Sequence, residues 1–310
     1  MIRRPPRSTQ SRSSAASDVY KRQITIRAFP KETPILDGTG VKLNLYDTLF
    51  ELVKSSHVVV EGLEVRNSAG RGINLHECSD VTVRHCAVHD VQCRALGGSG
   101  ERLLFEENRV WNACLVNAEN AFVKSGRRGG WPAVVQTSAR EDRRPSTNVV
   151  FRRNEVRESW GEGIDAWFLD GGAIEENVVR DCYSVLIYVD NARNLRIDRN
   201  LCVFTADRFR RADHKNPAGG VTLAAEHYER EVPALAPENI VISNNLVIGT
   251  GHGIHYWPDA ANRKPHNTYR NLLVAYNVIR DVEWDPLGFG KVPETSPAPS
   301  GCAARNNVFF

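Results

Sequence analysis

The chain has 310 residues, with 40 Lys and Arg against 37 Asp and Glu and a formal net charge of +3. Six of the basic residues and only one acid lie in residues 1–23, a local charge of +5, so the remainder carries −2 and the basic balance gives no reason to expect a nucleic-acid partner. No run approaches the ~18 apolar residues of a membrane-spanning helix, and the seven cysteines lack paired metal-type spacing, their odd number leaving at least one unpaired.

Residues 1–23 are rich in Arg and Ser, nearly free of apolar residues, and lack the apolar stretch of a signal peptide. They resemble the conceptual translation of sequencing-adapter read-through, with a disordered basic tail as the alternative. Either reading sets them apart from a domain expected over residues 24–310. From there one phrase recurs. It reads Val58-x-Val60-x-x-Leu63-x-Val65, then Val81-x-Val83-x-x-Cys86-x-Val88, then Leu103-x-Phe105-x-x-Asn108-x-Val110. It returns around Asn154, Asn177 and Asn200, spaced 23 residues apart, and around Asn245, Asn277 and Asn307. These nine positions count nine coils. A repeat of this length marks a stacked solenoid whose units bury their apolar faces only against neighbours. The alternating apolar residues form a strand with one face inward. The Asn marks a tight corner, since it tolerates the left-handed backbone region, and amides stacked in register are expected to bond from coil to coil.

A second phrase follows the corners: Gly70-Arg71-Gly72-Ile73-Asn74-Leu75-His76, then Gly161-Glu162-Gly163-Ile164-Asp165-Ala166-Trp167, then Gly251-His252-Gly253-Ile254-His255-Tyr256-Trp257, with variants at 184–190 and 219–224. The glycines allow a sharp turn into the strand. Alternation points Ile73, Ile164, Ile187, Val221 and Ile254 inward and leaves two outward columns. One is Asn74, Asp165, Tyr188, Thr222, His255; the other is His76, Trp167, Asp190, Ala224, Trp257, where small Ala224 leaves a notch beside Asp190. A solvated sheet face carries Lys, Glu, Thr and Ser, whereas this one interleaves rings with carboxylates and imidazoles. The intervals 108–154 and 200–245 are about twice the repeat but contain no intervening corner. Each is therefore read as one coil whose loops rise beside the outward columns. The strand within the first is ambiguous between 121–124 and 133–136.

These repeated strands and corners resemble the right-handed parallel β-helix of the pectate-lyase-like superfamily over roughly residues 24–310. The resemblance implies an all-β solenoid with three short strands per coil and an Asn ladder, truncated at both ends. It also implies a secreted, periplasmic or cell-surface location, with any leader lost, and a polysaccharide or oligosaccharide partner. A monomer is expected, with neither nucleic acid nor a membrane span.

Trp and Tyr rings pack on the C–H faces of sugars while carboxylates bond hydroxyls or move protons. Asp165 and Asp190 are one coil and two residues apart, about 8 Å between Cα atoms, near the ~6.5–9.5 Å carboxyl separation of inverting glycosidases. The leading expectation is a glycoside hydrolase with Asp190, Asp165 and Glu162 as catalytic carboxylates, Trp167, Trp257, Tyr188, His255, His76 and Asn74 as substrate contacts, and no metal or cofactor. Asp190, flanked by indoles, is expected to be the proton donor, and Asp165, more hydrated, the base or nucleophile. In the plainer reading both aspartates cap turns or pair with arginines. By resemblance, a polysaccharide lyase acting on uronic-acid glycans is the alternative. Glu119–Ser125 is similar to the Lys-bearing strand of alginate- and chondroitin-type lyases, which makes Lys124 the base and calcium a cofactor. A third reading is a non-catalytic glycan-binding β-helix.

Overall fold

The computed structural model describes residues 23–127, 129–228, 235–259 and 264–310. The expectation for residues 1–23 lies outside the described residues, Gln23 excepted. Three parallel ladders run along the molecule. The first starts at Thr48–Val53 and passes through Arg71–Arg84, Leu96–Glu106, Val135–Thr137, Ile164–Trp167, Val185–Asp190, Gly219–Ala224 and Ile254–Trp257 to Leu287–Phe289. The second runs from Ile24–Arg27 to Ala303–Arg305 and shares the two long strands Arg71–Arg84 and Leu96–Glu106, which bend from one face into the next. The third runs from Ile35–Asp37 to Val308–Phe309. The chain is thus a right-handed parallel β-helix with three short strands per coil. Parallel pairing needs no crossover helix here, because successive strands enter different faces and each finds its partner a full coil later.

The interior follows from the alternation. Ile73, Leu96, Val135, Ile164, Ile187, Val221 and Ile254 are register neighbours along the first face and are buried. Phe105 stacks on Phe151 behind the second face at 5.1 Å between ring centroids. The third face supplies Val88, Val110, Val156 and Val179. The glycines ahead of the first-face strands serve space rather than a turn. A Cβ on Gly163 would meet the carbonyl oxygen of Leu186 and Cγ1 of Val179, each at 2.5 Å, so the backbone packs directly on the third-face valine. All seven cysteines are free, six of them buried, Cys86 and Cys202 among them.

The asparagines form one file. Going from Asn108 through Asn154, Asn177, Asn200, Asn245 and Asn277 to Asn307, each Nδ2 donates to the next Oδ1 at 2.9–3.0 Å. Each Nδ2 also donates to a carbonyl one coil back. Each Oδ1 beyond the first accepts the backbone N–H of the preceding Asn as well. An amide offers two donors and two acceptor sites, so the inner members are fully used. The left-handed residue is not the Asn, as its tolerance of that region suggests, but the one before it: Glu107, Arg153, Glu176, Arg199, Asn244, Tyr276 and Asn306 have φ of 52° to 60°. That single left-handed residue turns the chain and leaves the Asn side chain aimed inward.

Asn177→Ala would leave the N–H and Nδ2–H of Asn154 and the carbonyl of Phe151 short of partners in the interior, and is expected to cost about 2–4 kcal/mol of unfolding free energy. Asn239→Gly keeps a left-handed corner and loses two exposed amide bonds, one donated to Asn194 at 2.8 Å and one accepted from Asn271 at 3.0 Å. It should cost about 1 kcal/mol or less. Equal costs in urea denaturation would show that the buried file is not what locks the coils.

Candidate active site

The first face and the loops beside it enclose a groove of about 870 Å³. Its floor is made by the outward columns in observed register: Gln136, Asp165, Tyr188, Thr222 and His255 in one, Trp167, Asp190, Ala224 and Trp257 in the other. The long insertions provide walls: Trp131 and Pro132 from the first, Arg211, Pro217, Glu226 and Tyr228 from the second. His252 and Trp284 close the far end.

Four carboxyl groups line this groove: Glu162, Asp165, Asp190 and Glu226. Trp131 Nε1 donates to Glu162 Oε1 at 2.5 Å, and burial pushes the Glu162 carboxyl up to about 8. Gln136 Nε2 donates to Asp165 Oδ2 at 2.7 Å, while Asp165 Oδ1 is buried without a hydrogen-bond partner among the described residues. Burial first, and then the charge of Glu162, raise Asp165 well above the ordinary carboxylate range. Asp190 accepts from Asn191 Nδ2 at 2.8 Å and from Tyr228 Oη. Burial, then Glu226 and Asp165, raise it as well. Tyr188 Oη donates to Glu226 Oε1 at 2.5 Å, and Tyr228 Oη lies 3.0 Å from Glu226 Oε2.

Tyr228 therefore touches two carboxyls with one phenolic proton to give. Both contacts are hydrogen bonds only when Asp190 or Glu226 is itself protonated. The Asp190–Tyr228–Glu226 chain thus holds one carboxyl proton, in line with the upward displacement of both acids.

The structure gathers Glu162, Asp165, Asp190, Trp167, Trp257, Tyr188 and His255 in the groove and leaves Lys124, His76 and Asn74 out of its lining. Lys124 is not on a strand: Leu115–Asn120 and Ala121–Lys124 are short helical turns, with Glu119 and Asn120 left-handed, and the Lys124 side chain is exposed. Val135–Thr137 takes the strand position instead, which places Gln136 beside Asp165. His76 turns away because the register shifts between Leu75 and Cys78, and its Nε2 lies 2.9 Å from Glu141 Oε1. Asn74 is buried beneath Arg94, whose Nη2 donates to it at 2.5 Å. Two local expectations also change. Asp165 is not hydrated, being 4% exposed against 1% for Asp190. Tyr188 is no open platform, since its ring is buried and its hydroxyl is spent on Glu226. There is no open notch at Ala224, which is buried against Tyr188 and Val185, and over Asp190 lies Tyr228, whose ring meets Trp167 edge-on at 5.5 Å. Burial and the neighbouring His252 bring His255 down to about 3, so it is neutral at ordinary pH.

Sequence reasoning missed Glu226, Tyr228, Gln136, Arg94, Trp131 and Trp284. One signal was present: continuing the alternation past Thr222 and Ala224 puts Glu226 and Tyr228 on the same side. Among the described residues, no three His, Cys, Asp or Glu side chains are grouped to hold a metal ion, and no helix is long and apolar enough to cross a membrane.

No protein-family model matches the chain, and no curated protein matches it in sequence. Solved structures share its fold. An alginate lyase from Paenibacillus sp. str. FPU-7 superposes with a TM-score of 0.57 and 12% identity, over 88% of this chain and 84% of its own. The catalytic unit of a thermostable GH87 α-1,3-glucanase from Streptomyces thermodiastaticus strain HF3-3 gives 0.53 and 12%, over 84% of this chain and 50% of its own. The Azotobacter vinelandii mannuronan C-5 epimerase AlgE6 A-module gives 0.51 and 13%, over 81% and 65%. The chain therefore spans 65% of the epimerase module and half of the glucanase unit. At these identities the likeness concerns the fold alone, the right-handed parallel β-helix.

The carboxyl cluster has a consequence for stability. Glu162 titrates at about 8 in the folded protein against an ordinary 4.5. The folded state binds more protons across that window, so stability falls as pH rises from about 4.5 to about 8. Asp165 and Asp190 act in the same sense. The urea midpoint is expected to drop across this range, and Glu162→Gln, which keeps an acceptor for Trp131, to flatten the drop. A midpoint that climbs with pH there, or an unchanged slope in the variant, would contradict the burial of these acids.

Proposed function

We propose that the groove binds a polysaccharide and hydrolyses its glycosidic bonds, with Asp165 and Asp190 as the acid/base pair. The carboxyl cluster carries this reading. Elsewhere on the coil faces acids are paired, as Glu106 is with Arg152 and Arg153, Glu175 with Arg196, and Asp170 with Arg193. The four groove acids make no ion pair among the described residues, and burial raises each of them above the ordinary carboxylate range, the direction that suits a proton donor. Turn-capping or pairing with arginine does not account for such a set.

The hydrogen bonds favour the opposite division of labour from the one that flanking indoles suggest. Asp190 has a donor on each oxygen, which favours its carboxylate once the proton of the Tyr228 chain sits on Glu226. Asp165 has a single donor, Gln136, to favour its carboxylate, while burial, a bare second oxygen and Glu162 beside it favour the neutral acid. Asp165 then protonates the glycosidic oxygen as its bond to the anomeric carbon breaks. Asp190 takes a proton from the water that attacks that carbon, and the products are a free reducing end and an alcohol. A Cα separation of about 8 Å leaves room for that water, as inversion requires. Trp257, 43% exposed, Trp284 and Trp167 offer ring faces or edges to sugars. The names of the alginate lyase and the α-1,3-glucanase, both glycan-cleaving, support a glycan substrate. A polymeric substrate implies a secreted, periplasmic or surface-exposed enzyme.

The test is a polysaccharide panel scored for reducing ends and for the ultraviolet absorbance of unsaturated uronates. Reducing ends without absorbance are expected. Asp165→Asn and Asp190→Asn should each lower kcat about 10²–10⁴-fold with binding nearly intact. A substrate whose leaving group needs no protonation should rescue Asp165→Asn and not Asp190→Asn. Trp257→Ala should weaken binding by about 1 kcal/mol. Rising absorbance would identify a lyase instead, and binding with neither product a recognition module.

A further inference from the structure

A buried guanidinium reaches the same groove. Arg94, 4% exposed, lines it beside Arg71 and Tyr46. Its Nη1 donates to Gln136 Oε1 at 3.3 Å and Ser138 Oγ at 2.7 Å, and its Nη2 to Asn74 Oδ1 at 2.5 Å. Gly97 is the register neighbour of both Asn74 and Gln136, so the guanidinium that bonds these two side chains bridges the strands on either side of it. Asn74 is held in turn by Glu51, accepting from its Nδ2 at 2.6 Å. All three acceptors of Arg94 are neutral. An arginine has five N–H groups, and the Nε–H of Arg94 is buried with no partner. The Nε–H of Arg71 is likewise buried and unpartnered, and its Cζ lies 5.4 Å from the Tyr46 ring centroid.

Arginines on the outer faces behave differently. Each has a counter-charge: Arg152 pairs with Glu106, Arg193 with Asp170 and Arg199 with Glu176, and Arg84, whose Nε–H is also buried without a partner, pairs with Glu61. Arg71, Arg94 and Arg211, all in the groove, make no ion pair among the described residues. The groove acids do not neutralise them: none lies at ion-pair distance, and burial favours the protonated forms of Glu162 and Asp165. A buried guanidinium without a counter-charge is costly unless an anion arrives to meet it. Gln136 also fixes where that anion would sit, because its carbonyl accepts from Arg94 while its amide donates to Asp165. The two functional groups are one carboxamide apart, within reach of adjacent atoms of a single sugar residue.

We propose that Arg94 and Arg71 form an anion subsite, and that the glycan taken by this groove is acidic, with a carboxylate or sulfate ester on a sugar beside the bond that Asp165 protonates. The proposal rests on reading the groove as a glycan site. Arg94 presents a fixed planar fork suited to such oxyanions, and Asn74 is a positioning residue that holds it.

The intact protein is titrated, by tryptophan fluorescence, with glucuronate, galacturonate and glucose 6-sulfate, and with glucose and galactose as neutral parents. At least one anion should bind about tenfold more tightly than its parent, the advantage shrinking with added salt. The carboxylate and sulfate arms tell which oxyanion the subsite prefers. Arg94→Gln and Arg71→Gln should each remove most of the advantage, and half-buried Arg71 serves if the buried substitution fails to fold. Equal affinity of every anion and its parent, or an advantage unchanged in Arg71→Gln, overturns the proposal. The readout does not depend on turnover. Cleavage of glycans without anion preference would sink this inference alone, and anion preference without cleavage would sink the hydrolase reading alone.

Discussion

Register between coils is the constraint on which everything else depends. In a parallel solenoid a slip of one residue would send every inward side chain outward, and along the ladders each strand pairs only with the coils on either side, so the faces themselves hold no distant pairing to correct it. The buried amide file removes that freedom. A carboxamide with both donors and both acceptors engaged has one position along the strand, since a shifted one leaves polar atoms bare in the interior. Once Asn154, Asn177 and Asn200 are fixed, Ile164 must meet Ile187, Asp165 must meet Tyr188 and Trp167 must meet Asp190. The groove floor is thus laid down by hydrogen bonds on a different corner of the coil.

That rigidity makes an otherwise unfavourable floor tolerable. Four carboxyls and a buried guanidinium share one cavity without pairing, an arrangement that a mobile surface would relax by letting side chains swing toward each other or into water. Here the acids keep their distance because strands hold them, and burial answers by favouring their protonated forms. The outer faces show the contrasting solution: arginines and carboxylates alternate from coil to coil and neutralise one another in partly hydrated pairs. Opposite treatment of the same residue types on adjacent faces of one solenoid separates the working surface from the supporting ones.

The fold was legible because a solenoid writes the same instruction repeatedly. Alternation named the inward residues of the first face, and the Asn spacing named the corner. The floor of the groove was legible for the same reason, through the parity that placed Asp165, Trp167, Tyr188 and Asp190 outward. What escaped lies where the period is interrupted. Parity puts His76 in the groove, since nothing in the sequence announces the register shift after Leu75. The sequence pattern admits a strand at Lys124, since the left-handed turns before it fall on Glu119 and Asn120 and carry no glycine signal. Arg94 escapes because it precedes its strand, where parity says nothing. Glu226 and Tyr228 lie just past a strand whose alternation the chain goes on obeying into the loop.

The connection between Arg94 and Asp165 reaches down to the position of a proton. An arginine has only donors, so the Gln136 side chain must turn its carbonyl toward Arg94 and its NH₂ toward Asp165. Asp165 Oδ2 is then committed as an acceptor. A neutral Asp165, which its burial and Glu162 favour, must therefore carry its proton on Oδ1, the oxygen that has no other partner. The guanidinium never touches the acid, yet it decides which of the two oxygens is the donor. On the proposed reading, the same amide links the anion subsite at Arg94 to the acid at Asp165, so a sugar seated at one would be aligned with the other.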